Sequence, residues 1–420
     1  MNRKNEVEFT AFVGIDWADK KHDICFQEAN SEKREFCVIP HDVALINEWA
    51  NSLYKRFGAP IAVGIELSKG PIISALQKHD FLVIHPIPPS KLAGYRNTFT
   101  PSRAKDDPTD AACALELILL FPERFKPIPP QSVEIRTLDL LVSKRRALVD
   151  ESKNITNRLR ATLKEYYPQA LDLFEHINTR IFCDFITSWP TLMEVKRARK
   201  NSLIKFFYSH NMRKKFLIEK RYQTIKSALP LTNDSSIIIP NRMLAVIFCE
   251  QLRILLEAID QFDKAIEELA SKHKDYPLFS CLPGAGPILA PRLLVAFGEQ
   301  RERFQTAADI QKYSGIAPVT ERSGKKCWVH WRWQCPTFFR QTFVEWAGQT
   351  INKSFWAGEF YRRQREKGSS HNAAVRALAF KWIRILFRCW KSGRSYDESI
   401  YLQALKRRGS PLVKQCPEVS

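Results

Sequence analysis

Phe12-Val-Gly-Ile-Asp16 and Ile61-Ala-Val-Gly-Ile-Glu66 decide the reading of this chain: two short apolar runs, each closed by a carboxylate. Runs of that length are expected to be buried strands, and open sheets expose functional groups at the C-terminal ends of their strands. Asp23-Ile-Cys-Phe26 and Glu35-Phe-Cys-Val-Ile39 extend the first run into a three-stranded meander. Helical patterns over 44–57 and 72–78 flank the second run, and residues 81–85 form a further strand-like stretch. Strands alternating with helices predict a mixed sheet with flanking helices, an α/β domain over residues 9–125.

Two more carboxylates join this pair. Asp107 and Asp110 follow the turn-like stretch Thr100-Pro-Ser-Arg-Ala-Lys-Asp106 and precede the apolar run Ala111-Ala-Cys-Ala-Leu-Glu-Leu-Ile118. A helix starting there carries residues three apart on one face of its first turn. Four crowded carboxylates repel one another unless a cation is present, and hard oxygen donors suit Mg²⁺ or Mn²⁺. Two such ions about 3.5–4 Å apart serve phosphodiester chemistry by activating one oxygen and stabilising the one that leaves. Each acid alone could equally cap a strand or a helix. The shared Val-Gly-Ile-acid ending and the matching contexts favour one site built from Asp16, Glu66, Asp107 and Asp110.

The 420 residues suffice for two or three domains, and 65 Lys+Arg against 45 Asp+Glu give a formal charge of +20. Residues 191–226 hold eleven Lys/Arg against two Glu, a local excess of nine positive charges, with Phe206, Phe207, Tyr208, Phe216 and Tyr222 interleaved. Cations mixed with aromatic rings suit phosphate contact and base stacking. Lys196, Arg197, Arg199, Lys200, Arg213, Lys214 and Lys215 are the candidate contacts, and a solvated helical face with its own aromatic core is the alternative. The ten cysteines are scattered singly and no signal peptide precedes them, which predicts a reduced, cytoplasmic protein. Cys327-x₂-His330-x₄-Cys335 lacks a fourth ligand and has atypical zinc spacing, so buried thiols are expected instead. No apolar stretch approaches 18 residues, so no membrane span is expected.

A Pro-rich segment at 125–130 reads as a linker. Beyond it, residues 131–275 carry two heptad patterns: Leu141, Leu148 and Ile155, then Leu252, Ile259 and Ile266 beside Leu255, Phe262 and Leu269. Two pairing helices, coiled-coil or plain amphipathic hairpin, are expected, with an insert at about 170–240 between them. Residues 276–405 read as a mainly α C-terminal domain. It opens with Pro283-Gly284-Ala-Gly286, a helix-hairpin-helix-like turn in which Gly284 and Gly286 would let backbone N–H groups meet a DNA phosphate. Further on, Lys381, Arg384 and Arg388 share one helix face.

These motifs together resemble the insertion-sequence transposases of the IS-one-ten family, RuvC-like (RNase H-like) DEDD recombinases guided by a bridge RNA. Asp16, Glu66, Asp107 and Asp110 fall in that family's Gly-Ile-Asp, Glu and Lys-x-Asp-x-x-Asp-Ala contexts, and the three-residue spacing to Asp110 favours Asp107 over its neighbour Asp106. Leu282-Pro-Gly-Ala-Gly-Pro287, the stretch Phe304 to Pro318, Arg322-Ser-Gly324, the segment from Phe360 to Gly368 and Lys391-Ser-Gly-x₂-Tyr-Asp397 resemble the family's transposase domain. The resemblance covers roughly residues 10–165 and 245–400. It implies a catalytic serine just before a glycine, which falls on Ser323, with Ser314 ranked second. Lys325, Lys326 and Trp328, Trp331 and Trp333 follow where the family commonly has Gly and Ser.

The resemblance implies double-stranded DNA at the element's ends and target as substrate, a bridge RNA as guide, and a homodimer or homotetramer as the working form. A serine hydroxyl needs a base or a metal-activated electrophile. The economical expectation is that the acidic half and the serine half serve one reaction, which leaves a phosphoserine link and conserves bond energy for rejoining. A RuvC-like structure-selective nuclease using metal-activated water, and a non-catalytic nucleic-acid-binding protein, are the alternatives. A DNA invertase of the same architecture is not distinguished from a transposase by sequence.

Overall fold

The computed structural model describes residues 8–99, 107–128, 131–324, 326–333 and 335–413, with the side chains of Phe99 and Asp107 outside the description. The chain divides into two compact units, Met1–Pro130 and Gln131–Ser420.

The first unit is a five-stranded sheet with helices on both faces. Its strands are β1 (Ala11–Trp17), β2 (Lys21–Glu28), β3 (Arg34–Pro40), β4 (Ile61–Ile65) and β5 (Leu82–Pro86), in the order β3-β2-β1-β4-β5. β1, β2 and β3 pair antiparallel as the expected meander, whereas β4 and β5 run parallel to β1. The helices are α1 (Val43–Phe57), α2 (Pro71–Leu76), α3 (Pro89–Phe99) and α4 (Asp107–Leu120). Alternation along β1 sends Ala11, Val13 and Ile15 into a core shared with Ile46, Trp49 and Leu53 of α1. The opposite face carries Phe12, Gly14 and Asp16 and receives α4 through Ala111 and Leu115.

α4 can lie on that face because of the two glycines in the repeated Val-Gly-Ile motif. Gly14 and Gly64 are paired across β1 and β4. A Cβ on Gly14 would fall 2.0 Å from the Ala111 carbonyl oxygen, and one on Gly64 would fall 2.8 Å from that of Ala114. The bare backbone of the sheet therefore admits the helix backbone directly.

In the second unit two long helices, α5 (Val133–Tyr166) and, after the insert, Ser235–Ser271, pack against each other. Arg145 pairs with Asp263, and Asn241 Nδ2 donates to Glu165 Oε2 at 3.0 Å, so the pair is antiparallel and formed within one chain. Between them lie α6 (Gln169–Asp172), α7 (Arg180–Ser188), α8 (Leu192–Arg197), α9 (Lys200–Ser209) and α10 (Lys215–Ser227), which makes the second long helix α11. The insert has its own core: Phe174, Phe182, Phe185 and Phe207 pack with Leu159, Leu163 and Phe248 of the long helices. The opposite end of the pair joins the core of the C-terminal part. That part comprises α12 (Tyr276–Ser280), α13 (Gly286–Phe297), α14 (Ala307–Tyr313), the hairpin β6 (Val319–Ser323) and β7 (Lys326–His330), then α15 (Thr337–Thr350), α16 (Phe355–Glu366), α17 (His371–Ser392) and α18 (Glu398–Arg407). Trp346, Trp356 and Trp382 are fully buried at its centre, with ring centroids 4.8 and 4.5 Å apart along the row. No helix among the described residues is long and apolar enough to cross a membrane.

Candidate functional site

The register of β1 against β4 pairs Gly14 with Gly64 and Ile15 with Ile65, so the next residues, Asp16 and Glu66, stand at neighbouring strand ends. Adjacent strands lie about 4.8 Å apart, and two residues along a strand return to the same face. Asp16 therefore shares the face of Gly14, which α4 covers. On the other side of β1, Asp23 of β2 is paired opposite Asp16 and so joins the same face. Asp23 is buried and its carboxylate meets the Lys21 ammonium at 3.0 Å. Sequence reasoning missed this acid because it begins an apolar run rather than ending one.

Asp110 lies in the first turn of α4, one residue before the Ala111 that rests on Gly14. Its side chain is only 4% exposed, and both of its oxygens accept from Arg96 Nη1, at 2.6 and 2.7 Å. Arg96 belongs to α3, a helix absent from the sequence expectations, because its Pro89-Ser-Lys-Leu-Ala-Gly-Tyr-Arg-Asn stretch has little helical patterning. The Asp110 hydrogen bond, with a smaller contribution from the Glu66 charge, holds the Arg96 guanidinium above its ordinary pKa. A fixed cation thus sits against Asp110 and within electrostatic reach of Glu66. Among the described residues no group of three or more His, Cys, Asp or Glu is gathered tightly enough to hold a metal ion. The Asp107 side chain lies outside the described residues, as do Asp106 and Lys325. The described donors Asp16, Glu66 and Asp110 are nonetheless hard oxygen, which fits Mg²⁺ or Mn²⁺ in kind.

The second locus is the tip of the β6–β7 hairpin. Ser323 pairs with Lys326, and Gly324 turns the chain at φ +58°. Both Ser323 and Lys326 are exposed. On the same face, Glu321 accepts from Trp328 Nε1 at 2.9 Å and pairs with His330 Nε2 at 2.9 Å. The hydrogen bond to His330 lowers the Glu321 pKa, and its counterpart raises that of His330. Ser314, the runner-up serine, is fully buried at the end of α14, where its hydroxyl donates to the Ile310 carbonyl at 2.7 Å. Cys327, expected as a buried thiol, is exposed; Cys335 packs instead against Gly315.

Several candidate nucleic-acid contacts have partners inside the protein. Lys196 Nζ donates to the Ala228 carbonyl at 2.8 Å, and Lys200 pairs with Glu219 at 2.9 Å. Phe206 and Phe207 pack into the insert's core rather than offering free faces. Arg197, Arg199, Arg213, Lys214 and Lys215 are exposed, and Phe216 beside them is 77% exposed. In the turn before α13 both glycines are left-handed, but a Cβ on Gly284 would fall 3.0 Å from the Gln349 backbone, whereas one on Gly286 would meet no described residue within 4 Å. The Lys381 ammonium lies over Trp356 and Phe360, and burial lowers its pKa, whereas Arg384 and Arg388 are exposed.

Comparison with known proteins gives these loci a common context. Residues 13–168 match a family model described as a transposase, of the DEDD type named for IS110. Residues 276–362 match one described as transposase IS116/IS110/IS902 family. The chain is similar to the product assigned as the IS117 mini-circle transposase of Streptomyces coelicolor, 29% identical over 409 residues that span 94% of this chain and 97% of that protein. An uncharacterized 43.6 kDa protein of insertion element IS110 from the same organism is 24% identical over 71% of this chain and 73% of its own length. A product of Sinorhizobium fredii named as a transposase is 27% identical over 48% of this chain and 57% of its own length.

Proposed function

Because the chain belongs to the IS110 family of insertion-sequence transposases, enzymes that cut and rejoin DNA, we propose that it does so through a serine nucleophile assisted by divalent cations. The observation that carries this reading is the register placing Asp16 and Glu66 at adjacent strand ends, with Asp110 brought to the same face by helix packing on Gly14. The strand order, three antiparallel strands extended by two parallel ones, supports a RuvC-like, RNase H-like reading of the first unit.

Asp16, Glu66, Asp107 and Asp110 would hold Mg²⁺ or Mn²⁺, in the two-ion arrangement that such chemistry uses. When bound, the ions supply charge neutralisation at the scissile phosphate. Arg96 holds Asp110 in position before that and offsets its charge. Ser323 provides the nucleophile: its Oγ–P bond forms as the bond from phosphorus to the leaving sugar oxygen breaks, the serine proton is lost and the leaving oxygen gains one. Reversal of that step with a different sugar hydroxyl rejoins the strands without further energy input. The exposed tip of a tight hairpin suits a nucleophile that must enter a DNA backbone.

We hold further that an RNA carried by the element directs the choice of donor and target. The exposed cations Arg197, Arg199, Arg213, Lys214, Lys215, Arg384 and Arg388 are the surface available to it. A reaction on four strands calls for a homodimer or homotetramer. The test is strand transfer with purified protein, Mg²⁺, the RNA transcribed from the element's end and both DNA partners. Ser323→Ala and Asp16→Asn should each abolish product; full transfer by Ser323→Ala contradicts the serine mechanism, and transfer unaffected by omitting the RNA contradicts the guide.

A further inference from the structure

The hairpin that bears Ser323 ends in an exposed row of aromatic rings for which the fold itself has no use. Trp328, Trp331 and Trp333 are 45%, 42% and 72% exposed, in a protein whose Trp346, Trp356, Trp382 and Trp390 are fully buried. The row is continuous. Trp328 and His330 are joined through Glu321, the His330 ring lies 6.2 Å from that of Trp333, and Trp333 lies 6.3 Å from Trp331. Ser323 starts the row, because the register places it on the same face as Glu321, Trp328 and His330.

The far end of the row is cationic. Arg376 lies 4.2 Å from the Trp331 ring centre and Arg340 lies 5.3 Å from it, so two guanidiniums share one indole. Among the described residues neither has a carboxylate partner, nor does Arg332, whose buried Nε has no hydrogen-bond acceptor. Burial and the neighbouring Arg340 charge both lower the Arg376 pKa. The one acid of residues 319–333, Glu321, is engaged by His330 and Trp328. Just past the row the chain is anchored: Gly315, at φ +71°, leaves room for Cys335, where a Cβ would fall 2.3 Å from its sulfur.

Resting on the reading of Ser323 as nucleophile, we propose that this row is a stacking platform for the unpaired bases of a nucleic-acid strand. Arg332, Arg340 and Arg376 take its phosphates, and the strand leads to Ser323. Aromatic faces accept any base, and guanidiniums without a carboxylate partner beside them supply the backbone contact. A protein partner would be expected to bring the rings an apolar surface and the arginines a carboxylate; a nucleic acid supplies rings and anions in alternation.

The experiment measures anisotropy of a labelled twelve-nucleotide single strand, as DNA and as RNA, with full-length protein in EDTA, so no cleavage or metal site enters. The expected result is tighter binding of the single strand than of an abasic strand of equal length, with affinity lowered roughly five- to a hundredfold in Trp333→Ala and largely restored in Trp333→Phe. Arg340→Ala should lower the salt slope by about one. DNA and RNA arms of equal affinity indicate base and phosphate recognition alone, and a difference between them identifies which strand the platform holds. Equal binding of abasic and normal strands by wild type and Trp333→Ala overturns the proposal. So does loss of self-association in Trp333→Ala with oligonucleotide binding intact, which would make the row a contact between copies of the chain. The binding assay involves no cleavage and the strand-transfer assay of Ser323→Ala involves no change to the platform, so failure of the serine mechanism and failure of the platform are read separately.

Discussion

Replacing Gly14 with alanine tests whether the acidic site depends on helix α4 touching the bare sheet. The added Cβ would lie 2.0 Å from the Ala111 carbonyl oxygen and 2.5 Å from the Leu115 nitrogen, both backbone atoms that cannot swing aside. Ordinary contact begins near 3.4 Å, so α4 must retreat by about 1.4 Å or tilt. Overpacking of this kind costs about 1–3 kcal/mol. The consequence for chemistry is larger, because catalytic groups must hold position to about 0.5 Å and a 1 Å misplacement can cost roughly a hundredfold in rate. Asp110 moves with Ala111, whereas Asp16 and Glu66 stay on the sheet. Gly64→Ala, whose Cβ would lie 2.8 Å from the Ala114 oxygen, requires a retreat of only about 0.6 Å. Gly94→Ala, inside α3 with no described residue within 4 Å of the added Cβ, should stabilise by roughly 0.5–1 kcal/mol. Melting temperature and Mg²⁺-dependent strand cleavage should therefore rank Gly94→Ala above Gly64→Ala above Gly14→Ala. A Gly14→Ala protein that melts and cleaves like Gly94→Ala would refute the packing argument.

Arg96→Gln leaves the buried Asp110 carboxylate without its cation, which should destabilise the ion-free protein by about 3–5 kcal/mol. Added Mg²⁺ should then raise its melting temperature more than it raises that of wild type; equal shifts would separate Arg96 from the proposed metal site. Ser314→Ala removes a buried hydroxyl that donates to the Ile310 carbonyl, so a loss of about 0.5–1.5 kcal/mol with unchanged strand transfer is expected. A folded but inactive Ser314→Ala protein would move the nucleophile from Ser323 to Ser314. His330 is raised by Glu321, so the contribution of its charged form is complete below its ordinary value of 6.5 and fades as pH climbs through the raised one. Glu321 is lowered, so its contribution is complete above its ordinary 4.5 and fades as pH falls through the depressed value. The pair is thus fully formed between about 4.5 and 6.5, and NMR titration of His330 should give a midpoint above 6.5 that drops in Glu321→Gln.

The five strands of the first unit were legible because each is a compact apolar run with turn residues at its ends, and the carboxylates at two of those ends marked the candidate site. The repeated glycines were visible too, but their purpose was not: a glycine inside a strand signals close approach without saying what approaches. Arg96 was hidden for a different reason. Its helix has no apolar stripe to reveal it, and its partnership with Asp110 spans fourteen positions and an intervening stretch that no local pattern connects. In the insert, counting Lys and Arg could not separate cations such as Arg213 from Lys196 and Lys200, which are engaged by the Ala228 carbonyl and by Glu219. The tryptophans after Ser323 read as a departure from the family pattern, and only the fold shows that they line up from the serine to a set of arginines without acids.

The most direct measurement is a covalent-trapping assay: purified protein, Mg²⁺, the RNA from the element's end and labelled donor DNA, resolved on a denaturing gel. The account predicts a protein–DNA adduct that disappears in Ser323→Ala and in Asp16→Ala. Free cut ends that require Asp16 but not Ser323 would contradict it and make the chain a nuclease that uses water.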